Sequence, residues 1–239
     1  MSRWLSCGLL LSSVVALLLA PASASGPSDP SPAILQRFLA REDPALSQFR
    51  ALRHLEARND HFDKSAWMDV WTEGDASGFS YGIVSEDGSE YIRSHVFRAS
   101  LETERRMWAS GAPNRAGVTP ANYTFADRGA QADGLASLAV KPRRKDVLLV
   151  DGSIFLNPDD GELVRMEGRL SKSPSFWTRR VEIVRWYRRI AGVRMPVALE
   201  SVAHVRIAGN STFRVTYEYE SINGQRVGAP EARASARRP

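Results

Sequence analysis

The stretch from Thr212 to Glu220 constrains this chain more than any other. Phe213, Val215, Tyr217 and Tyr219 alternate with Arg214, Thr216, Glu218 and Glu220. A period of two with charge on one side describes a strand with one dry face and one wet face. The pattern recurs upstream. Val164, Met166 and Leu170 alternate with Arg165, Glu167 and Arg169, and Leu199, Val205 and Ile207 share a face opposite Glu200, His204 and Arg206. Val147 to Phe155, broken at Asp151-Gly152, and Val181 to Ile190 are further β-rich runs. Asn157-Pro158-Asp159-Asp160-Gly161 and Gly209-Asn210 read as turns between them. Successive strands joined by short turns predict an antiparallel meander.

The first half mixes periods. Ile34, Leu35, Phe38 and Leu39 repeat at helical spacing behind Ser31 and Pro32, a capping residue and a favoured first-turn residue. Asp43-Pro44 predicts the start of a second helix, with Leu46, Phe49, Leu52 and Leu55 as its apolar stripe. From Trp67 to Trp71 the period is two, and Phe79, Tyr81 and Ile83 continue it. Glu86-Asp87-Gly88-Ser89 reads as a hairpin turn into a strand from Tyr91 to Phe97. Leu101 to Trp108 predicts a short helix with Glu102 and Glu104 near its start and Arg105 and Arg106 beyond. Ser110 to Asp133 has little periodicity and reads as an irregular excursion. A sheet with one apolar face must be covered. The reading that gives every element a role is α+β: a strongly curved antiparallel sheet wrapped around helices.

The ends set the compartment. Arg3 precedes an apolar run, Leu9 to Ala20, and Ala22-Ser23-Ala24 follows it as a small-x-small cleavage site. This is the layout of a secretory signal, too short to anchor as a membrane span. Residues 1–24 are therefore expected to be a signal peptide cut near Ala24, which places the protein in the periplasm. Residues 25–32 read as a Pro/Ser/Gly linker, 33–228 as one domain, and 229–239 as a disordered basic tail. Cys7 lies ahead of the apolar run, so it is not a lipidation site. It is the only cysteine of the 239 residues, so the exported chain has neither a disulfide nor a thiol nucleophile. The net charge of +5 falls only by Arg3 on cleavage. An exported protein has little occasion to meet nucleic acid, so an anionic membrane surface, or no partner at all, is the better reading of that charge. Lys141 to Lys145 is the basic run best suited to it, or is a solvated strand entry.

No catalytic signature is present. The sequence lacks a Gly-x-Ser-x-Gly elbow, a Walker glycine loop and a dinucleotide fingerprint. His54, His61, His95 and His204 are scattered. His54-x-Glu56 and Asp60-His61 read as a solvated edge rather than as ligands, and Asn157 to Glu162 does not reproduce a calcium loop. The expectation is a non-enzyme with no metal and no cofactor. The exposed-looking pair Phe176-Trp177 has the character of a membrane-touching tip or a pocket rim.

The chain also resembles a known family. The carrying residues are Phe49-Arg50-Ala51-Leu52-Arg53-His54-Leu55-Glu56-Ala57, Lys141-Pro142-Arg143-Arg144-Lys145-Asp146, and Gly161-Glu162-Leu163-Val164-Arg165-Met166-Glu167-Gly168-Arg169 with Pro174-Ser175-Phe176-Trp177. From about Ile34 to Asn223 the order of elements resembles the LolA/LolB-like superfamily, bacterial outer-membrane lipoprotein-sorting proteins. The resemblance implies a half-open antiparallel β-barrel whose concave face is lidded by helices. It implies a carrier or binding module for lipoproteins, acyl chains or other lipid-like cargo; an envelope sensor or interaction protein on the same fold is the alternative. Trp67, Trp71, Val164, Met166, Val205, Phe213, Val215 and Tyr217 are the expected apolar lining.

Overall fold

The computed structural model describes residues 33–110, 116–173, 178–205 and 209–228. The expected signal peptide, the linker, the basic tail, Ile207 and Phe176-Trp177 lie outside them. The strands form one antiparallel sheet in the order β3-β2-β1-β10-β9-β8-β7-β6-β5-β4, with the two-residue β11 (Gln225–Arg226) on β10. They are β1 (Phe49–Asn59), β2 (Lys64–Asp75), β3 (Gly78–Gly88), β4 (Tyr123–Ala130), β5 (Ala136–Pro142), β6 (Val150–Leu156), β7 (Leu163–Leu170), β8 (Thr178–Ile190), β9 (Val193–Val205) and β10 (Gly209–Ile222). β3 and β4 are the free edges, so the barrel is half-open. The helices are α1 (Ala33–Ala40) and a continuous helical run made of α2 (Glu90–Ile92), a π-helical turn (Arg93–Arg98) and α3 (Ala99–Ala109).

Only β10 departs from simple neighbour-to-neighbour order, and its departure organises the sheet. It pairs β9 on one side and β1 on the other, which brings the N-terminal meander against the C-terminal one. The buried side chains fall on one face, at registers that follow each other across the strands. Ala51, Arg53, Leu55 and Ala57 of β1 stand beside Thr72, Val70, Met68 and Ala66 of β2 and beside Tyr219, Tyr217, Val215 and Phe213 of β10. That inner face holds two core clusters. One joins β1, β2, β3 and β10 to the helical run through Ile92, Phe97 and Leu101. The other joins β4 to β7 to α1 through Leu35 and Phe38. Leu199 of β9 packs against both.

Four expectations are corrected. The predicted second helix from Asp43 is instead β1. Leu46, Phe49, Leu52 and Leu55 have helical spacing, but Phe49, Ala51, Leu55 and Ala57 also have the period of two, and all four are buried. The position decides. β1 is a central strand whose whole length is paired on both sides, and tertiary pairing outweighs local propensity. The predicted strand from Tyr91 to Phe97 is helical. Ile92 and Phe97, five apart, span the π turn, and Leu101 follows four later on the same buried side. The excursion from Ser110 to Asp133 contains β4, whose exposed residues hide its period.

Asp151-Gly152 does not interrupt its strand. A Cβ on Gly152 would stand 2.0 Å from the Glu167 carbonyl oxygen, and one on Gly168 2.4 Å from that of Asp151. The two glycines face each other in register and let β6 and β7 approach more closely than side chains permit. The acidic turn Asn157 to Glu162 is a hairpin turn, as expected. Gly161 (φ +72°) also lies against the α1 backbone, where a Cβ would meet the Phe38 nitrogen at 2.9 Å.

Candidate functional site

The inner face is apolar beneath the helices at each end, the α1 end is rimmed by charge, and two arginines stand between the ends. At the first end, Phe49 and Trp108 pack in a T shape with ring centroids 5.5 Å apart, and Phe79 lies tilted against both. Trp108 lies over Gly74, and its indole N–H donates to the Asp75 carbonyl at 3.0 Å. At the other end α1 is clamped by charge. Arg41 meets Asp160 at 3.1 Å and Glu162 at 2.9 Å, and Arg37 donates to the Pro158 carbonyl at 2.7 Å. Glu162 also takes Arg189 of β8 at 2.7 Å, and Asp43 takes Arg189 and Arg194 at 2.6 Å each. Asp160 and Glu162 of the 157–162 turn thus hold the end of the first helix down through Arg41.

Between the ends stand two inward-facing arginines. Arg53 of β1 is 5% exposed and makes a bidentate pair with Glu104 of α3, at 2.6 and 2.9 Å. The rings of Tyr217, Phe79 and Phe49 surround it, at 4.9, 5.5 and 5.8 Å. Burial works against its charge, and Glu104 more than offsets that, so the guanidinium is held above its ordinary pKa. The pair ties the helical run to the sheet. Arg185 of β8 is different. By register it stands between Met166 of β7 and Leu199 of β9, both on the inner face. It donates to the Tyr187 hydroxyl at 3.4 Å, and among the described residues no carboxylate lies within ion-pair distance. Tyr217 and Tyr123 are its further electrostatic neighbours.

Burial pushes the phenols of Tyr217, Tyr123 and Tyr219 up, Tyr219 the furthest, with Arg53 and Arg185 pulling Tyr217 the other way. These shifts run away from neutrality, so these groups are not poised to exchange protons near pH 7. The outer face carries a different trio. Asp69, 2% exposed, takes His54 Nδ1 at 2.6 Å and the Ser85 hydroxyl at 3.3 Å, while His54 Nε2 meets Glu56 at 3.0 Å. Here the carboxylate sits between the other two, so the histidine does not touch the serine as a nucleophilic relay requires. Among the described residues no group of three metal-ligating side chains occurs.

The expected lining divides. Met166, Val215 and Tyr217 are on the inner face, joined by Phe213 and, at the far end of β9, Val205. Val164 is the extra residue of a bulge where Leu163 pairs with Leu156 and Arg165 with Phe155. Leu163, 1% exposed, takes the core place beside Met166. Trp67 and Trp71 belong to the outer face. Trp71 pairs with Leu52 and lies under Arg50 at 4.5 Å, and Trp67 stacks on His54. Sequence reasoning passes over Arg53 and Glu104, because the apolar spacing in β1 suggests a helix. It also passes over Arg185, although Val181, Ile183, Arg185 and Tyr187 alternate visibly.

No family model and no curated protein matches the chain. Among solved structures it is similar to the crystal structure of a LolA superfamily protein from Nitrosomonas europaea. That similarity has 10% identity and a TM-score of 0.35 over 77% of this chain and 90% of that one.

Proposed function

We propose that this protein is an exported, non-enzymatic binding module of the bacterial envelope that lays an acyl chain or other lipid-like cargo along the concave face of its sheet. One observation carries the reading. Val181 of β8 and Ala203 and Val205 of β9 are inward-facing by register, half-buried, and part of neither core cluster. Ser201, on the same face, is small and leaves width beside it. The helices fill the two ends of the half-barrel, and this middle trough is what they leave to cargo. Its flanks are Phe213 on β10 and Met166 on β7. Burial of a chain there contributes roughly 0.8 kcal/mol per methylene, against the cost of immobilising it. The basic Lys141 to Lys145 segment, whose Lys141 and Lys145 are exposed, suits an anionic membrane surface as the place of loading.

The test is calorimetric titration of delipidated protein with alkyl carboxylates from octanoate to octadecanoate. Affinity rises with chain length and then levels off when the trough is full. Absent binding, or binding independent of length, overturns the carrier reading in favour of a sensor that uses the fold without cargo.

A further inference from the structure

Nearly every arginine of the inner face and its rim has an acid. Arg53 has Glu104, Arg41 has Asp160 and Glu162, and Arg189 and Arg194 share Asp43 and Glu162. Among the described residues Arg185 has no acid within ion-pair distance, and it donates to the oxygen of Tyr187 at 3.4 Å. Its neighbours across the sheet are Met166 and Leu199, and it stands on the strand that carries Val181 and Ile183. A guanidinium keeps its charge under all ordinary conditions, so such a placement carries a desolvation cost, and tyrosine oxygens rather than a carboxylate are what stand against it among the described residues. Five N–H donors in a planar fork match a carboxylate or phosphate with two parallel hydrogen bonds. Tyr187, Tyr217 and Tyr123 surround the position with hydroxyl-bearing rings rather than competing acids.

Resting on the trough reading above, we propose that Arg185 is the headgroup anchor of that trough, so that the preferred cargo is an anionic single-chain amphiphile. Its carboxylate or phosphate oxygens sit on Arg185, and its chain runs along β8 and β9 past Ile183, Val181 and Ala203. The register supports the direction. From Arg185 the inner positions of β8 are apolar towards Val181, whereas in the other direction they lead to Tyr187 and the charged Arg189. An anion at Arg185 therefore has one apolar path away from it.

The experiment compares dodecanoate, dodecyl phosphate and dodecan-1-ol on the native protein and on Arg185→Met and Arg185→Lys, with acetate and inorganic phosphate as heads without chains. On the native protein an anionic amphiphile binds about tenfold to a hundredfold more tightly than the alcohol, as expected of a charge-assisted hydrogen-bond pair. Arg185→Met removes that difference and leaves dodecanol binding unchanged, while Arg185→Lys restores part of it. The two anionic arms separate a fatty-acid head from a phospholipid-type head. Equal binding of alcohol and anions to the native protein overturns the anchor and leaves the trough standing. So does an equal loss for all three ligands in Arg185→Met. If no chain-bearing ligand binds, the trough reading falls and the anchor with it. The comparison of ligands on the native protein needs no variant, so it decides the matter even where a mutant folds poorly.

Discussion

Glu104→Gln takes the negative charge away from the Arg53 guanidinium while keeping the size and shape of the side chain. The loss can be worked from the pair's surroundings. The Arg53 side chain is 7% exposed, and its Nε has no partner, so Nη1 and Nη2 carry all its ion pairing. The Glu104 side chain is 32% exposed, so water reaches the site from that side and replaces part of what is lost. A fully enclosed broken pair costs about 3–5 kcal/mol. Partial access and the remaining amide acceptor bring the expectation to about 2 kcal/mol, or a fall in Tm of about 4–8 °C for a domain of this size. Arg53→Met should cost less, because methionine fills the box formed by Phe49, Phe79 and Tyr217 without needing an anion. The double variant should recover much of the Glu104→Gln loss. Urea unfolding of all four proteins closes the cycle and gives the coupling directly. If Glu104→Gln costs under half a kilocalorie per mole, or if the double variant is as unstable as the sum of the singles, the helical run is not held to the sheet by this pair.

Val215→Asp should cost several kcal/mol, because Val215 lies between Leu55 and Leu199 on the inner face, whereas Thr216→Asp, facing out beside His54, should cost little. Equal losses in thermal melts would mean that the register of β10 is wrong. Stability should fall as pH rises above about 10, where tyrosines of the unfolded chain ionise while the buried Tyr219 still holds its proton. Tyr219 donates to the Pro196 carbonyl at 2.7 Å in the folded state, so Tyr219→Phe should flatten that alkaline slope by up to about 1.4 kcal/mol per pH unit, read from urea midpoints at a series of pH values. Gly168→Ala should be strongly destabilising, since the added Cβ meets the β6 backbone, and differential scanning calorimetry would show it; an unchanged Tm would refute the close approach.

How far the fold is legible in the sequence depends on how each segment meets its neighbours. β10 is legible because every second residue is polar or charged and faces away from the core. β1 is not, because its outer face carries Leu52 as well as its inner face Leu55, which gives two apolar periods at once; only its pairing with both β2 and β10 decides between them. The 90–109 run misleads for a similar reason, since a π turn shifts the apolar spacing from four to five and breaks the pattern of an ordinary helix. Among the candidate lining residues, parity alone places the odd-numbered residues of β10 correctly. Val164 is displaced by a bulge that no parity argument detects. Trp67 and Trp71 do share a face, but aromatic character alone does not show that it is the outer one. Arg185 becomes visible when the parity of Val181 and Ile183 is carried two residues further.

Whether the middle of the concave face holds a lipid-like molecule can be read by native mass spectrometry of the protein purified from its own cell envelope, without detergent exchange. An occupied trough gives a population carrying one added mass in the range of an acyl amphiphile, lost on organic extraction and regained when dodecanoate is supplied. A single bare mass before extraction, together with no mass gain on adding dodecanoate, would contradict an occupied trough.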